Sequence, residues 1–127
     1  MKCRYKNRMI SENIIDWEVQ AICDDEYKKD SDHLIMYETF GFAKYGYGEI
    51  RTYGKISDAN RITNIINSFG ESIVSGEIFQ ENVIHTFGDD SITKNYEFSV
   101  SYMRHLPKQE RYILLSDLNI FDKPVMR

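Results

Sequence analysis

Hydrophobic and polar residues alternate most regularly in NYEFSVSYM (95–103). Tyr96, Phe98, Val100 and Tyr102 fall on one side, and Asn95, Glu97, Ser99 and Ser101 on the other. Successive side chains of an extended chain point to opposite faces, so this period of two predicts a half-buried β-strand. HLIMYETF (33–40) and EIRTYGKI (49–56) are rich in β-branched and aromatic residues and predict two more strands. In IIDWEVQAIC (14–23) a helical wheel traps Glu18 inside an apolar stripe of Ile14, Ile15, Trp17, Ala21 and Ile22. Alternation separates Ile15, Trp17, Val19, Ala21 and Cys23 from Asp16, Glu18 and Gln20, so a strand fits better, with a helix as the alternative.

The period changes in SDANRITNIINSFG (57–70). Ala59, Ile62, Ile65, Ile66 and Phe69 share one helical face, Ser57 is placed to cap the start and Gly70 to stop the end. ESIVSGEIFQ (71–80) and NVIHTF (82–87) return to strand-like runs. Pro107 then suits a first helical position, and KQERYILLSDL (108–118) predicts a second helix carrying Tyr112, Leu114, Leu115 and Leu118. Pro124 makes the tail NIFDKPVMR (119–127) irregular.

At the other end, MKCRYKNRMI (1–10) places Lys2, Arg4, Lys6 and Arg8 on one face and Cys3, Tyr5, Asn7 and Met9 on the other. Such a cationic face is how an edge strand avoids pairing with other chains. The expected fold is therefore α+β. It is a bent antiparallel sheet or partial barrel of about six to seven strands with two helices, in the order β-β-β-α-β-β-β-α, forming a single domain over residues 1–127. Three strands then a helix, twice over, is read as architecture rather than duplication, because the halves share too few identities.

Composition narrows the function classes. The chain of 127 residues is 42% hydrophobic, 28% charged and 13% aromatic, with nine tyrosines, and its formal net charge is −4. The first eight residues hold four of the sixteen basic side chains and no acid, so residues 9–127 carry 12 basic against 20 acidic groups. An acidic body repels a nucleic-acid backbone, which disfavours reading the basic leader as a phosphate-contacting ribbon. No apolar run nears the length of a membrane span or signal peptide, so a cytoplasmic protein is expected. Cys3 and Cys23 lack metal or redox spacing and are expected to be reduced thiols. A bias to Asn, Ile, Lys and Tyr would suit a phage or mobile-element product.

The candidate chemistry fails motif by motif. FGFAKYGYGEIRTYG (40–54) gathers four of the seven glycines and five aromatics. A phosphate loop needs lysine and a hydroxyl after its second glycine, where this chain has Tyr47 and Gly48. A dinucleotide fingerprint needs glycine at Arg51 and a helix to follow. An RNA-recognition octamer fits at Gly46, Tyr47, Gly48 and Ile50, but Glu49 stands where a second stacking aromatic is required. A glycine-rich hairpin loop is the better reading.

The HTF at His85 supplies half of the paired H-x-T/S arrangement of a two-histidine phosphoesterase, and neither His33 nor His105 supplies the other half. The acids Asp24, Asp25, Glu26, Asp30 and Asp32 beside His33 lack the glycine and terminal glutamate of a calcium loop. GDD (88–90) reads as a turn, and Gly70–Val74 lacks the last glycine of a nucleophile elbow.

With each catalytic template failing at a residue its mechanism requires, the expectation is a protein that works by contact. It would be a small inhibitor or immunity-type protein covering a basic partner such as a nuclease, without catalytic residue, metal or cofactor and without direct nucleic-acid or membrane binding. The expected contact residues are Lys44, Tyr45, Tyr47, Arg51, Tyr53 and Trp17. The alternative is a small-ligand or nucleotide binder that lines a concave sheet with the same tyrosines, Trp17 and Arg51. A phosphodiesterase acting through His85 comes third.

Overall fold

The computed structural model describes residues 4–7, 17–22, 34–88 and 94–122. The chain is α+β: one mixed sheet with one α-helix packed on a face. Its elements are β1 (Arg4–Asn7), β2 (Glu18–Ile22), β3 (Leu34–Phe40), β4 (Glu49–Lys55), α1 (Ala59–Val74), β5 (His85–Gly88), β6 (Lys94–Ser101) and β7 (Tyr112–Asp122). The sheet order is β1-β2-β3-β4-β7-β6-β5.

Neighbours are antiparallel except β4 and β7, which run parallel from Glu49 opposite Tyr112 to Thr52 opposite Leu115. The all-antiparallel expectation is thus corrected. The chain leaves β4 through α1, adds the β5–β6 hairpin on the outside, and returns as β7 in the middle. A parallel return needs such a long crossover. Among the described residues β1 and β5 are the two sheet edges, so the sheet is open rather than a closed barrel.

Alternation correctly picks the inward residues of β2 and β6, and β3 and β4 alternate in the same way. Val19 and Ala21 of β2, Ile35, Tyr37 and Thr39 of β3, Ile50 and Thr52 of β4, and Phe98 and Val100 of β6 all face α1. Against them the helix lays Ile62, Ile65, Ile66, Phe69 and Ile73. Phe69 sits at the centre, 4.7 Å from the Phe79 ring and 5.8 Å edge-on from Phe98. Burying a side chain of this size contributes about 2–3 kcal/mol.

Three boundaries differ from expectation. Gly70 does not stop α1, because the helix runs on to Val74 and absorbs the first part of the strand expected over 71–80. Gly70 is inside because Trp17 lies against it: a Cβ there would stand 2.8 Å from the indole Cζ2. The stop is Gly76, at φ 97°. Its N–H bonds the Ile73 carbonyl at 3.0 Å, and the Glu77 N–H bonds Ser72 at 3.0 Å. That pair of bonds around a left-handed glycine closes a Schellman cap. Residues 77–80 are irregular, and of the run expected over 82–87 only His85 onward is strand. At the helix start, Ser57 belongs to a 3₁₀ turn (Ile56–Asp58), and Asp58 takes the cap position without a side-chain cap bond.

The second expected helix is β7. Lys108–Glu110 form one 3₁₀ turn, and from Tyr112 the chain is extended, with Ile113 and Leu115 buried. Leu114 is half-buried on the open face and Leu115 is buried on the other, so the two adjacent leucines imitate a helical stripe. Asp117, at φ 54°, adds a bulge: Glu97 faces Asn119 but Ser99 faces Ser116, so β7 spends one extra residue there. Part of the tail expected to be irregular, through Asp122, belongs to β7. Cys3, Cys23, His33, the acidic cluster 24–32, and Asp89 and Asp90 lie outside the described residues. Among the described residues no helix is long and apolar enough to cross a membrane.

Candidate functional site

The stretch 40–54 is a hairpin, with β3 and β4 joined by a 3₁₀ turn over Phe42–Tyr45 between left-handed Gly41 and Gly46. What organises the loop is Glu49. Its Oε1 accepts from the Thr39 hydroxyl at 2.7 Å and the Phe42 N–H at 2.9 Å, and its Oε2 from the N–H groups of Ala43 at 3.1 Å and Gly41 at 3.3 Å. The unpaired amides at the start of a helical turn form an anion seat, here filled by the chain's own carboxylate. The residue that breaks the RNA-binding pattern is therefore the anchor of the loop.

The six expected contact residues divide into three groups. Trp17 is only 5% exposed; it packs edge-on against Phe42 at 5.0 Å and Tyr45 at 6.0 Å, beneath the hairpin loop. Tyr45 is half-buried in the same cluster, with the Lys44 ammonium 5.6 Å from its ring. Tyr47, 46% exposed, turns to the far side of the loop and lies against Tyr102 at 5.7 Å. Arg51 and Tyr53 sit on the sheet face that α1 leaves open. The aromatic cup expected of a ligand binder is thus not assembled: Trp17 and Tyr45 are on the other side of the sheet from Arg51 and Tyr53.

On the open face, Arg51 and Glu38 stand opposite each other in register. The guanidinium Nε and Nη2 both meet Glu38 Oε2 at 2.7 Å, while its carbon lies 3.9 Å above the Tyr112 ring. Burial works against the charge of Arg51, but the hydrogen bond and charge of Glu38 outweigh it and hold the guanidinium pKa above its ordinary value. Around this pair Leu34 is 58% exposed, Phe40 68% and Tyr53 47%, with Met36 half-buried between them.

Beyond Thr52 and Leu115 the paired β4 and β7 part and leave a cleft of about 600 Å³. Ile62 and Leu115 form its floor, Leu34, Tyr53 and Leu118 its walls, and Lys55, Asp58, Asp117 and Asn119 its polar rim. It lies at the carboxyl end of β4, where the parallel pairing with β7 stops. Sequence reasoning missed Leu34, Phe40, Asp58 and Asp117. Leu34 and Phe40 were findable, since both share the parity of Met36 and Glu38 on β3, whereas Asp117 was hidden inside the helix expected over 108–118.

His85 lies on the edge strand β5 with Phe98 opposite it in register. Its Nε2 is 2.8 Å from the Gln80 carbonyl, and its ring packs edge-on against Phe79 at 5.2 Å. No second histidine faces it among the described residues, and among those residues no three His, Cys, Asp or Glu side chains gather as a metal site would need.

No protein-family model matches this chain, and no match was found among the curated proteins or the solved structures.

Proposed function

We propose that this protein acts by binding another protein, as a small inhibitory or covering protein whose open sheet face receives a partner with a basic, partly apolar surface. The observation that carries the reading is that exposed Leu34 and Tyr53 both line a cleft rimmed by Asp58 and Asp117. Anchor side chains that enter a desolvated pocket carry most of the energy of an interface. An apolar or aliphatic-stemmed basic side chain of the partner would bury its stem against Leu34, Tyr53 and Leu118 and present its charge to the two aspartates. The acidic balance of the chain would speed that encounter. The setting is cytoplasmic in this reading, and a phage or mobile-element origin rests on composition alone.

The test is capture of a basic partner from the native host by the tagged chain. Retention at low salt that is lost at high salt, and lost at low salt with Leu34→Glu, is the expected outcome. Retention unchanged by Leu34→Glu and Tyr53→Ala overturns the reading.

The cleft volume favours one second reading, a small-ligand binder, because sites for such ligands span about 300–1,000 Å³. A thermal shift from a nucleotide that vanishes in Tyr53→Ala, in a chain that captures no protein, would select it.

A further inference from the structure

At the opposite end of the β4–β7 pair, a smaller notch of about 140 Å³ is lined by Gly46, Tyr47, Gly48, Tyr102, Arg104, Lys108 and Arg111. We propose that this notch is a binding site for a phosphoryl group, carried by a small ligand whose remainder rests on Tyr47. It stands apart from the open sheet face and does not depend on the function proposed for that face.

Three local features converge the cations. In a 3₁₀ turn side chains three apart eclipse one another, so the turn at Lys108–Glu110 brings Lys108 and Arg111 to one side. Arg111 is then held by its Nε, which donates to the Leu106 carbonyl at 2.8 Å, leaving its terminal nitrogens without a partner among the described residues. Arg104 arrives from the turn after β6, where Met103 has φ 49°, and lies 5.1 Å from the Tyr102 ring. Glu81 steadies it: Oε2 pairs with Arg104 Nη1, while Oε1 accepts the Tyr102 N–H at 2.8 Å. One Arg104 nitrogen is thereby engaged, and Lys108 has no partner among the described residues. Of the acids on these segments, Glu81 is committed as above, Glu49 is held by the hairpin loop, and Glu110 is exposed on the same turn.

The fourth wall is the hairpin loop, brought close because Gly48 has no side chain. At φ 84° its Cβ would stand 2.0 Å from the Arg111 carbonyl oxygen. The close approach sets the half-exposed Tyr47 ring across the notch from Lys108 and Arg111.

Convergence of three cations in a chain of net charge −4 selects an anion. Two guanidinium groups and an ammonium together offer more donors than the two oxygens of a planar carboxylate use, and suit the several oxygens of a tetrahedral phosphoryl group better. The volume admits one such group, and an exposed tyrosine ring offers a stacking face for an attached base.

Calorimetric titration of the full chain with inorganic phosphate, adenosine monophosphate and adenosine tests this. Saturable binding of the first two, weakened as salt rises and about tenfold weaker in Lys108→Ala, is the expected result. Adenosine monophosphate tighter than phosphate would support a ligand whose remainder rests on Tyr47, and equal affinities would overturn that part of the proposal and leave free phosphate as the ligand. Lys108 is exposed, so its variant should keep the wild-type circular dichroism, and Lys55→Ala at the far cleft should bind as wild type. The proposal fails if neither phosphate compound binds, if adenosine binds as well as its monophosphate, or if Lys108→Ala and Arg111→Lys leave binding unchanged.

Discussion

The Trp17 indole N–H donates to Asn67 Oδ1 at 2.8 Å, tying the start of β2 to the middle of α1 across 50 positions of sequence. Both groups are buried, and the Asn67 Nδ2 has no hydrogen-bond partner among the described residues. Trp17→Phe would leave both polar ends of Asn67 unsatisfied and open a space beside Gly70, for an expected loss of about 2–4 kcal/mol. Adding Asn67→Leu should recover part of that loss, because an apolar pair strands no polar group. Urea melts of the single and double variants measure the difference.

Gly48 is required twice, by its positive φ and by the Arg111 carbonyl against it. Gly48→Ala should destabilise by more than about 2 kcal/mol, since backbone opposes backbone and neither can swing aside. Gly46→Ala, equally left-handed but with open space around it, should lose only about 1 kcal/mol. Thermal melts of the two variants side by side separate steric contact from conformational strain.

Glu49→Gln keeps the size of the side chain but removes one of two acceptor oxygens. An amide NH₂ would then point at the backbone N–H groups of Gly41 and Ala43, or at the Phe42 N–H and the Thr39 hydroxyl if flipped. A loss of about 1–3 kcal/mol is expected, with faster hydrogen exchange confined to the loop amides.

Burial of the Tyr102 ring raises its phenol pKa, with Tyr47 and Glu81 adding to the rise and Arg104 opposing it. The folded state therefore holds this proton more tightly than the unfolded chain. Its contribution is present in full below the unfolded value of about 10 and is lost as pH rises through the higher folded value. Tyr102→Phe should flatten the alkaline fall in stability above about pH 10, and an unchanged slope would show that another group is responsible.

Much of the fold is legible in the residues. NYEFSVSYM reads as a strand because one face meets α1 and the other does not, and Trp17, Val19 and Ala21 obey the same rule. YILLSDL misleads because an apolar residue, Leu114, falls on the open face next to the buried Leu115, so the apolar–polar alternation is lost although burial still alternates. The bulge at Asp117 shifts what alternation is left. Gly70 misleads for a related reason: a glycine punctuates a helix in isolation, but here it is the space into which Trp17 fits.

Of the site, the sequence alone marks the tyrosines, the basic side chains and the hairpin that carries several of them. It cannot say which share a surface. Lys44, Tyr45, Tyr47, Arg51 and Tyr53 lie within ten positions of one another, yet one hairpin sends them to the core, the open face and the notch. Alternation settles which side of its own strand a residue takes. The partners waiting there are set by strand order, and strand order is decided by long-range burial: α1 covers one face, and β7 returns in parallel beside β4. That return opens the cleft at one end of the pair and brings Arg111 to Gly48 at the other.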